Sequence, residues 1–98
     1  MILVTGGFVA KGDCLAQALA LSLAHLRRSR LEAGCIAHAV HQDVENPAHL
    51  VFVEQWADRA ALAAHFAVPA SRAFVKAVAG LALAAPELRV YEAAQVGV

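Results

Sequence analysis

Apolar residues fill positions 2–10 with no helical spacing, which predicts a first strand. Lys11-Gly12-Asp13 breaks the run, and Asp13 stands where an N-cap for the next helix belongs. Leu15, Leu19, Ser22 and Leu26 then recur at helical spacing and predict a helix over residues 14–31. Arg27, Arg28 and Arg30 crowd its last turns, where the helix dipole favours cations, so a solvated helix end accounts for them better than an anion site. Gly34 resets the period. Residues 35–42 and 50–56 read as two strands of a hairpin around a turn at 43–47, with Asn46-Pro47 as its strongest signal. Asp58 is placed to cap a short helix reaching Phe66, with Leu62, His65 and Phe66 on one face, and Pro69 ends it. Ser71 is placed to cap another, with Phe74, Val75, Val78 and Leu81 inward; Pro86 closes it before a last strand over 88–94.

The resulting order, βαββαβ with the second helical position split in two, is an α+β, ferredoxin-like arrangement: an antiparallel sheet with helices on one face. A sheet with one wet face alternates apolar and polar residues. Here Leu50 and Phe52 point one way and Val51 and Val53 the other, while Ile36 and Val40 oppose Ala37 and Ala39. Both faces therefore ask for burial, and the helices of one chain cover only one. The other face predicts a homodimer packed sheet on sheet.

Length and composition fit this picture. The 98 residues make one domain, spanning residues 1–98. Eight basic and eight acidic residues cancel, which leaves no electrostatic footprint for nucleic acid or an acidic membrane. The 60% hydrophobic content exceeds the roughly 45–50% of ordinary soluble domains, as expected of a chain that buries surface against a partner. The longest uncharged run, residues 14–26, is too short for the roughly 20 residues of a membrane span. The first residues lack the pattern of a secretion signal, and Cys14 and Cys35 have no metal-ligand spacing; a cytoplasmic protein with reduced thiols is expected, with one disulfide as the alternative.

Two phosphate-binding patterns fail. Val4-Thr5-Gly6-Gly7 with Gly12 matches a dinucleotide turn only loosely, and a Rossmann domain needs far more chain. The spacing of Gly7 and Gly12 mimics a P-loop, but Asp13 stands where the lysine must be. The five histidines offer no metal motif either. His38 and His41 point to opposite faces of a strand, and no helix carries a His-x-x-x-His pair, so no metal site is expected.

His65 is the strongest chemical candidate, because helical spacing from Leu62 turns it toward the sheet. It reads either as a packed histidine or as a base, since an imidazole with a pKa near 6.5 takes a proton at neutral pH. Trp56 is a core aromatic or a pocket wall. Glu54, two residues earlier on the same face, reads as structural and needs a partner such as Arg72, Arg89 or the other subunit. His38 is a half-buried strand residue or a polar handle in a pocket. His41 belongs at the dimer edge, and His25 and His49 read as surface residues.

One long stretch ties these residues together: Glu32-Ala-Gly-Cys35, Glu54-Gln-Trp56-Ala-Asp58, Ala64-His65-Phe66, Pro69 and Phe74. A histidine on a short helix directly after a strand ending in tryptophan resembles the antibiotic biosynthesis monooxygenase family, small dimeric α+β-barrel proteins, over almost the whole chain. The resemblance implies a cofactor-independent monooxygenase that oxidises a small aromatic quinol or phenol with dioxygen. On that reading His65 is the base, and Trp56, His38, Phe52, Phe66 and Phe74 are substrate-binding walls. His38 stands where many relatives carry a tyrosine, and Ala70 where a histidine often follows the proline. The haem-degrading branch is not implied: its tryptophan position holds His65, its iron-ligand position Val75 and its asparagine position Thr5. The alternative is a non-catalytic dimeric barrel that binds a small apolar ligand; a related non-oxidative activity also stays open.

Overall fold

A computed structural model describes residues 1–98. The elements run β1 (Ile2–Val9), α1 (Leu15–Ser29), β2 (Cys35–Gln42), β3 (His49–Trp56), α2 (Arg59–Ala67), α3 (Pro69–Leu81) and β4 (Glu87–Glu92). Four strands form one sheet in the order β2-β3-β1-β4, with every pair antiparallel. This is the ferredoxin-like α+β arrangement predicted from the sequence.

Local chemistry sets the boundaries. Asp58 caps α2 as expected, its carboxylate accepting from the Ala61 amide at 2.8 Å. The hairpin turn is held by Asp43 Oδ1 on the Glu45 amide and Asn46 Oδ1 on the Ala48 amide. Two other caps differ from expectation. Cys14, not Asp13, occupies the N-cap of α1, and no side chain bonds there; the Cys14 amide instead closes a turn on the Lys11 carbonyl. Ser71 lies inside α3: Pro69 opens that helix, since its missing N–H and fixed φ suit the first turn, and Val68 is the residue before it. Pro69 thus ends one helix by starting another.

Gly34 makes the turn from α1 into β2. Its φ of +81° is left-handed, and a Cβ there would stand 2.5 Å from the Ala61 Cβ. Gly6 and Gly7 are not in a phosphate turn at all. They lie inside β1 opposite Phe52 and Val51, where a Cβ on Gly6 would meet the Glu87 carbonyl oxygen at 2.7 Å.

The helices cover one sheet face. Phe8, Leu50, Phe52, Ala18 and Val78 form one apolar cluster; Ile2, Val4, Trp56 and Leu62 form a second. On the outward face Leu3, Val51 and Val53 stay half-buried, with no layer over them in the single chain. Ile36 departs from the predicted alternation. The β2–β3 register shifts between Cys35 and Ala37, so Ile36 falls outside the ladder and is 56% exposed. The α1 stripe also differs. Its buried residues are Ala18, Ser22, His25, Leu26 and Ser29, so His25 faces the sheet rather than solvent. Val75, expected inward on α3, is largely exposed. No helix is long and apolar enough to cross a membrane. Cys14 and Cys35 are unpaired.

Candidate active site

Seven of the 18 buried residues are polar, and four of these meet between the two apolar clusters. α1 supplies His25, β2 His38, β3 Glu54 and α2 His65. The three histidines are 5%, 2% and 2% exposed, and their ring centres lie 5.3 Å (His25–His38), 5.2 Å (His25–His65) and 5.8 Å (His38–His65) apart.

Each ring is held by different neighbours. His65 Nδ1 lies 2.9 Å from Glu32 Oε1, a contact joining the end of α1 to α2 across the Gly34 turn. Trp56 packs against the same imidazole, with ring centres 4.6 Å apart. His25 stacks flat on Phe74, 4.1 Å between centres and 2° between planes. The backbone of His38 is fixed by Arg30, whose Nε donates to its carbonyl at 3.0 Å. Neither ring nitrogen of His38 has a hydrogen-bond partner, and neither has Nδ1 of His25.

Glu54 is the anion of the cluster. Trp56 Nε1 donates to its Oε1 at 3.0 Å, while His38 Nε2 lies 3.7 Å from Oε2 and His65 Nε2 lies 4.0 Å from Oε1. The partner expected for this carboxylate was Arg72, Arg89 or a second subunit; the structure gives it an indole and two imidazoles instead. Strand alternation explains this, because residues 54 and 56 share the helix-facing side where those rings sit. Burial raises the Glu54 pKa, opposed by the Trp56 bond and by His65 and assisted by Glu32. Burial also pushes His25 down to about 3, with His38, His65 and Arg28 adding to it. His38 falls to about 4, through burial first and then His65 and Arg30. Both rings are neutral at neutral pH.

A cavity of about 530 Å³ opens beside the cluster. His25, His38, His65 and Glu54, with Ser71, Arg72 and Glu87, form its polar wall; Phe52, Phe66, Phe74, Val75 and Leu88 form its apolar side. Four of the five expected wall residues, His38, Phe52, Phe66 and Phe74, line it. Trp56 does not. It is fully buried with Ile2, Val4 and Leu62, behind His65, and touches the site only by stacking on that ring and bonding Glu54. His41 is exposed on the opposite sheet face, and His49 pairs with Asp43 at 3.3 Å beside the hairpin turn. Three residues of the site were not expected in it from sequence: His25, read as a surface residue, Glu54, read as structural, and Glu32. The signal for His25 was present: it lies three residues after Ser22, on the stripe already read as inward. Glu32 had no such signal, because its partner is 33 residues away.

The arrangement pairs an imidazole, oriented by a carboxylate, with a cavity large enough for a small aromatic molecule. The family model for antibiotic biosynthesis monooxygenases matches residues 1–77. The chain belongs to the antibiotic biosynthesis monooxygenase family. The matched span holds Glu32, Glu54, Trp56 and His65, and stops short of β4. The protein sll1783 of Synechocystis sp. (strain ATCC 27184 / PCC 6803 / Kazusa) is 33% identical over 94 residues, 96% of this chain. The chain spans 64% of the length of that relative. The crystal structure of an antibiotic biosynthesis monooxygenase, 26% identical, has a TM-score of 0.89 and covers 97% of this chain and 100% of its own. Rv0793 from Mycobacterium tuberculosis, 22% identical, shares the fold with a TM-score of 0.90 over 99% of this chain and 98% of its own.

Proposed function

We propose that this family member is a cofactor-independent monooxygenase that oxidises a small aromatic quinol or phenol with dioxygen, using His65 as base. The observation that carries the reading is the Glu32–His65 contact of 2.9 Å on the wall of an apolar cavity. Glu32 accepts from Nδ1–H, which leaves the Nε2 lone pair to take a proton, and the carboxylate stabilises the imidazolium that forms.

The chemistry then belongs to substrate and dioxygen. His65 takes the phenolic proton, and the electron-rich anion passes one electron to O2, giving a substrate radical and superoxide. These combine at a ring carbon to form a C–O bond and a peroxide. Loss of water from that peroxide breaks the O–O bond and yields a quinone. The sum is one phenol and one O2 to one quinone and one H2O, so no external reductant is required. Phe52, Phe66 and Phe74 hold the ring and exclude water, which strengthens the proton transfer. Neutral His38 offers a hydrogen bond to a substrate oxygen.

We read the active form as a cytoplasmic homodimer. Leu3, Val51 and Val53 on the outward sheet face, together with the exposed Tyr91 of β4 that pairs with Leu3, form apolar surface that a second copy of the same sheet would cover.

The test is oxygen uptake by chelator-treated protein with a panel of hydroquinones and polycyclic phenols, autoxidation subtracted, beside His65→Ala. Uptake lost in the variant is expected. Uptake that survives the substitution removes His65 as base. No uptake on any member, with the same phenols still bound in the cavity, leaves a non-catalytic barrel for a small apolar ligand.

A further inference from the structure

We propose that His25, His38 and His65 form a binding site for one divalent transition-metal ion, with Zn²⁺ as the ion that suits their chemistry. The three side chains come from three separate elements, are each more than nine-tenths buried, and bring one ligand nitrogen apiece within 4.8 Å of the others. In a tetrahedral site with Zn–N of about 2.0–2.1 Å, neighbouring imidazole centres stand about 5.2 Å apart. The observed separations are 5.2, 5.3 and 5.8 Å. The ring centres are near the spacing of a three-histidine site, and the ligand nitrogens, now within 4.8 Å of one another, would draw in to about 3.4 Å around an ion.

A second observation is independent of spacing. Buried polar atoms are almost always satisfied, yet both nitrogens of His38 and Nδ1 of His25 have no partner. A neutral imidazole without a hydrogen-bond acceptor or donor is a ligand in waiting. His65 adds a third. Its Nδ1 is engaged by Glu32, which presents Nε2 as the lone-pair nitrogen, the carboxylate–histidine arrangement that orients and strengthens metal-bound histidines.

Glu54 completes the electrostatics. Its carboxylate faces Nε2 of His38 at 3.7 Å and Nε2 of His65 at 4.0 Å, distances at which it bonds neither. A cation among these nitrogens would sit beside the carboxyl group and be favoured by it. Trp56 holds Oε1, so Oε2 is the oxygen free to stand beside the fourth coordination position. All three histidines line the cavity, which gives an ion its path in.

This site does not rest on the oxygenase reading, but it shares an atom with it. An ion on Nε2 of His65 occupies the lone pair that the base uses, so loaded protein loses the metal-free oxidation and regains it on chelation.

The experiment uses untagged full-length protein stripped with chelator and titrated with Zn²⁺ by calorimetry and with Co²⁺ by visible absorption. One ion per chain is expected, with the intense d–d bands of tetrahedral cobalt. His38→Asn and His25→Gln each weaken binding by roughly 100-fold or more, and Glu32→Gln by about 10–100-fold. His41→Ala and His49→Ala, outside the cluster, leave the affinity unchanged. Circular dichroism checks each variant for folding, and the cobalt spectrum of the unsubstituted protein decides the geometry if one fails. Absence of saturable binding, binding indifferent to both His25→Gln and His38→Asn, or an octahedral cobalt spectrum overturns the site. Failure of the oxidation is read separately, as no oxygen uptake by stripped protein whatever its metal affinity.

Discussion

At the scale of single residues, the site is a set of polar groups placed where an apolar core would otherwise close. Their value lies in what each does to its neighbour. Glu32 orients His65, and Glu32→Gln keeps the shape of the contact while removing its charge. Oxygen uptake should fall in kcat with KM little changed, by less than the roughly 10²–10⁴-fold expected for His65→Ala. A rise in KM alone would mean that Glu32 binds substrate rather than positions the base.

The buried rings also set the acid stability of the metal-free protein. His25 is pushed down to about 3 and His38 to about 4, against an unfolded value near 6.5. Between those values the unfolded chain binds more protons than the folded one, so acid favours unfolding. The stability of these two groups is complete above about 6.5 and is lost as pH falls toward 4 and then 3. The groups facing them are His65, Arg28, Arg30 and Glu54. Glu54 works in the opposite sense above 4.5, because its raised pKa lets the folded state take a proton first, and it offsets part of the loss. Urea midpoints in chelator should fall steadily from pH 7 to pH 4, and His25→Phe should flatten the slope.

At the scale of elements, two short features place the chemistry. The first is the Gly34 turn, which carries Glu32 over α2 and onto His65. Gly34→Ala meets both a left-handed φ and a 2.5 Å approach to Ala61 Cβ, so it should cost about 1–3 kcal/mol and loosen the Glu32–His65 contact. Denaturant unfolding with oxygen uptake reads both effects; equal loss of neither would mean that the turn adapts. The second is the Asp58 cap that sets where α2 begins, and hence where His65 points. Asp58→Ala should cost about 1 kcal/mol in the same unfolding measurement. The cap was legible in the sequence because Asp58 sits just before an apolar helical pattern. The α1 and α3 caps differ from expectation because Asp13 and Ser71 have the right residue type but stand one and three positions from the residues that backbone geometry makes the N-caps, Cys14 and Val68.

At the scale of the whole molecule, the outward sheet face is the open surface. Val53 there lies between Thr5 and Ala39, and Val51 between Gly7 and His41, with no helix to cover them. Light scattering should give the mass of a dimer, and Val53→Lys, which sets a charge in the middle of that face, should give a monomer. A wild-type monomer at micromolar concentration ends that reading.

The order of elements, the split second helix, the hairpin and the helix-facing side of β3 were all determined by the sequence. Each follows from periodicity and turn residues, which act between neighbours a few positions apart. Periodicity turned His65 toward the sheet, while the cavity positions of His38, Phe52, Phe66 and Phe74 came from the family resemblance rather than from spacing. The tertiary structure alone decided the rest. It put Trp56 behind His65 rather than beside the substrate, moved Ile36 out of register with a bulge, and gave Glu54 an indole and imidazoles for partners. Above all, it brought His25, His38 and His65 together, with Glu32 behind them. No local spacing encodes that cluster, because its members lie on a helix, a strand and a second helix that meet only when α1 and α2 pack on one face of the sheet.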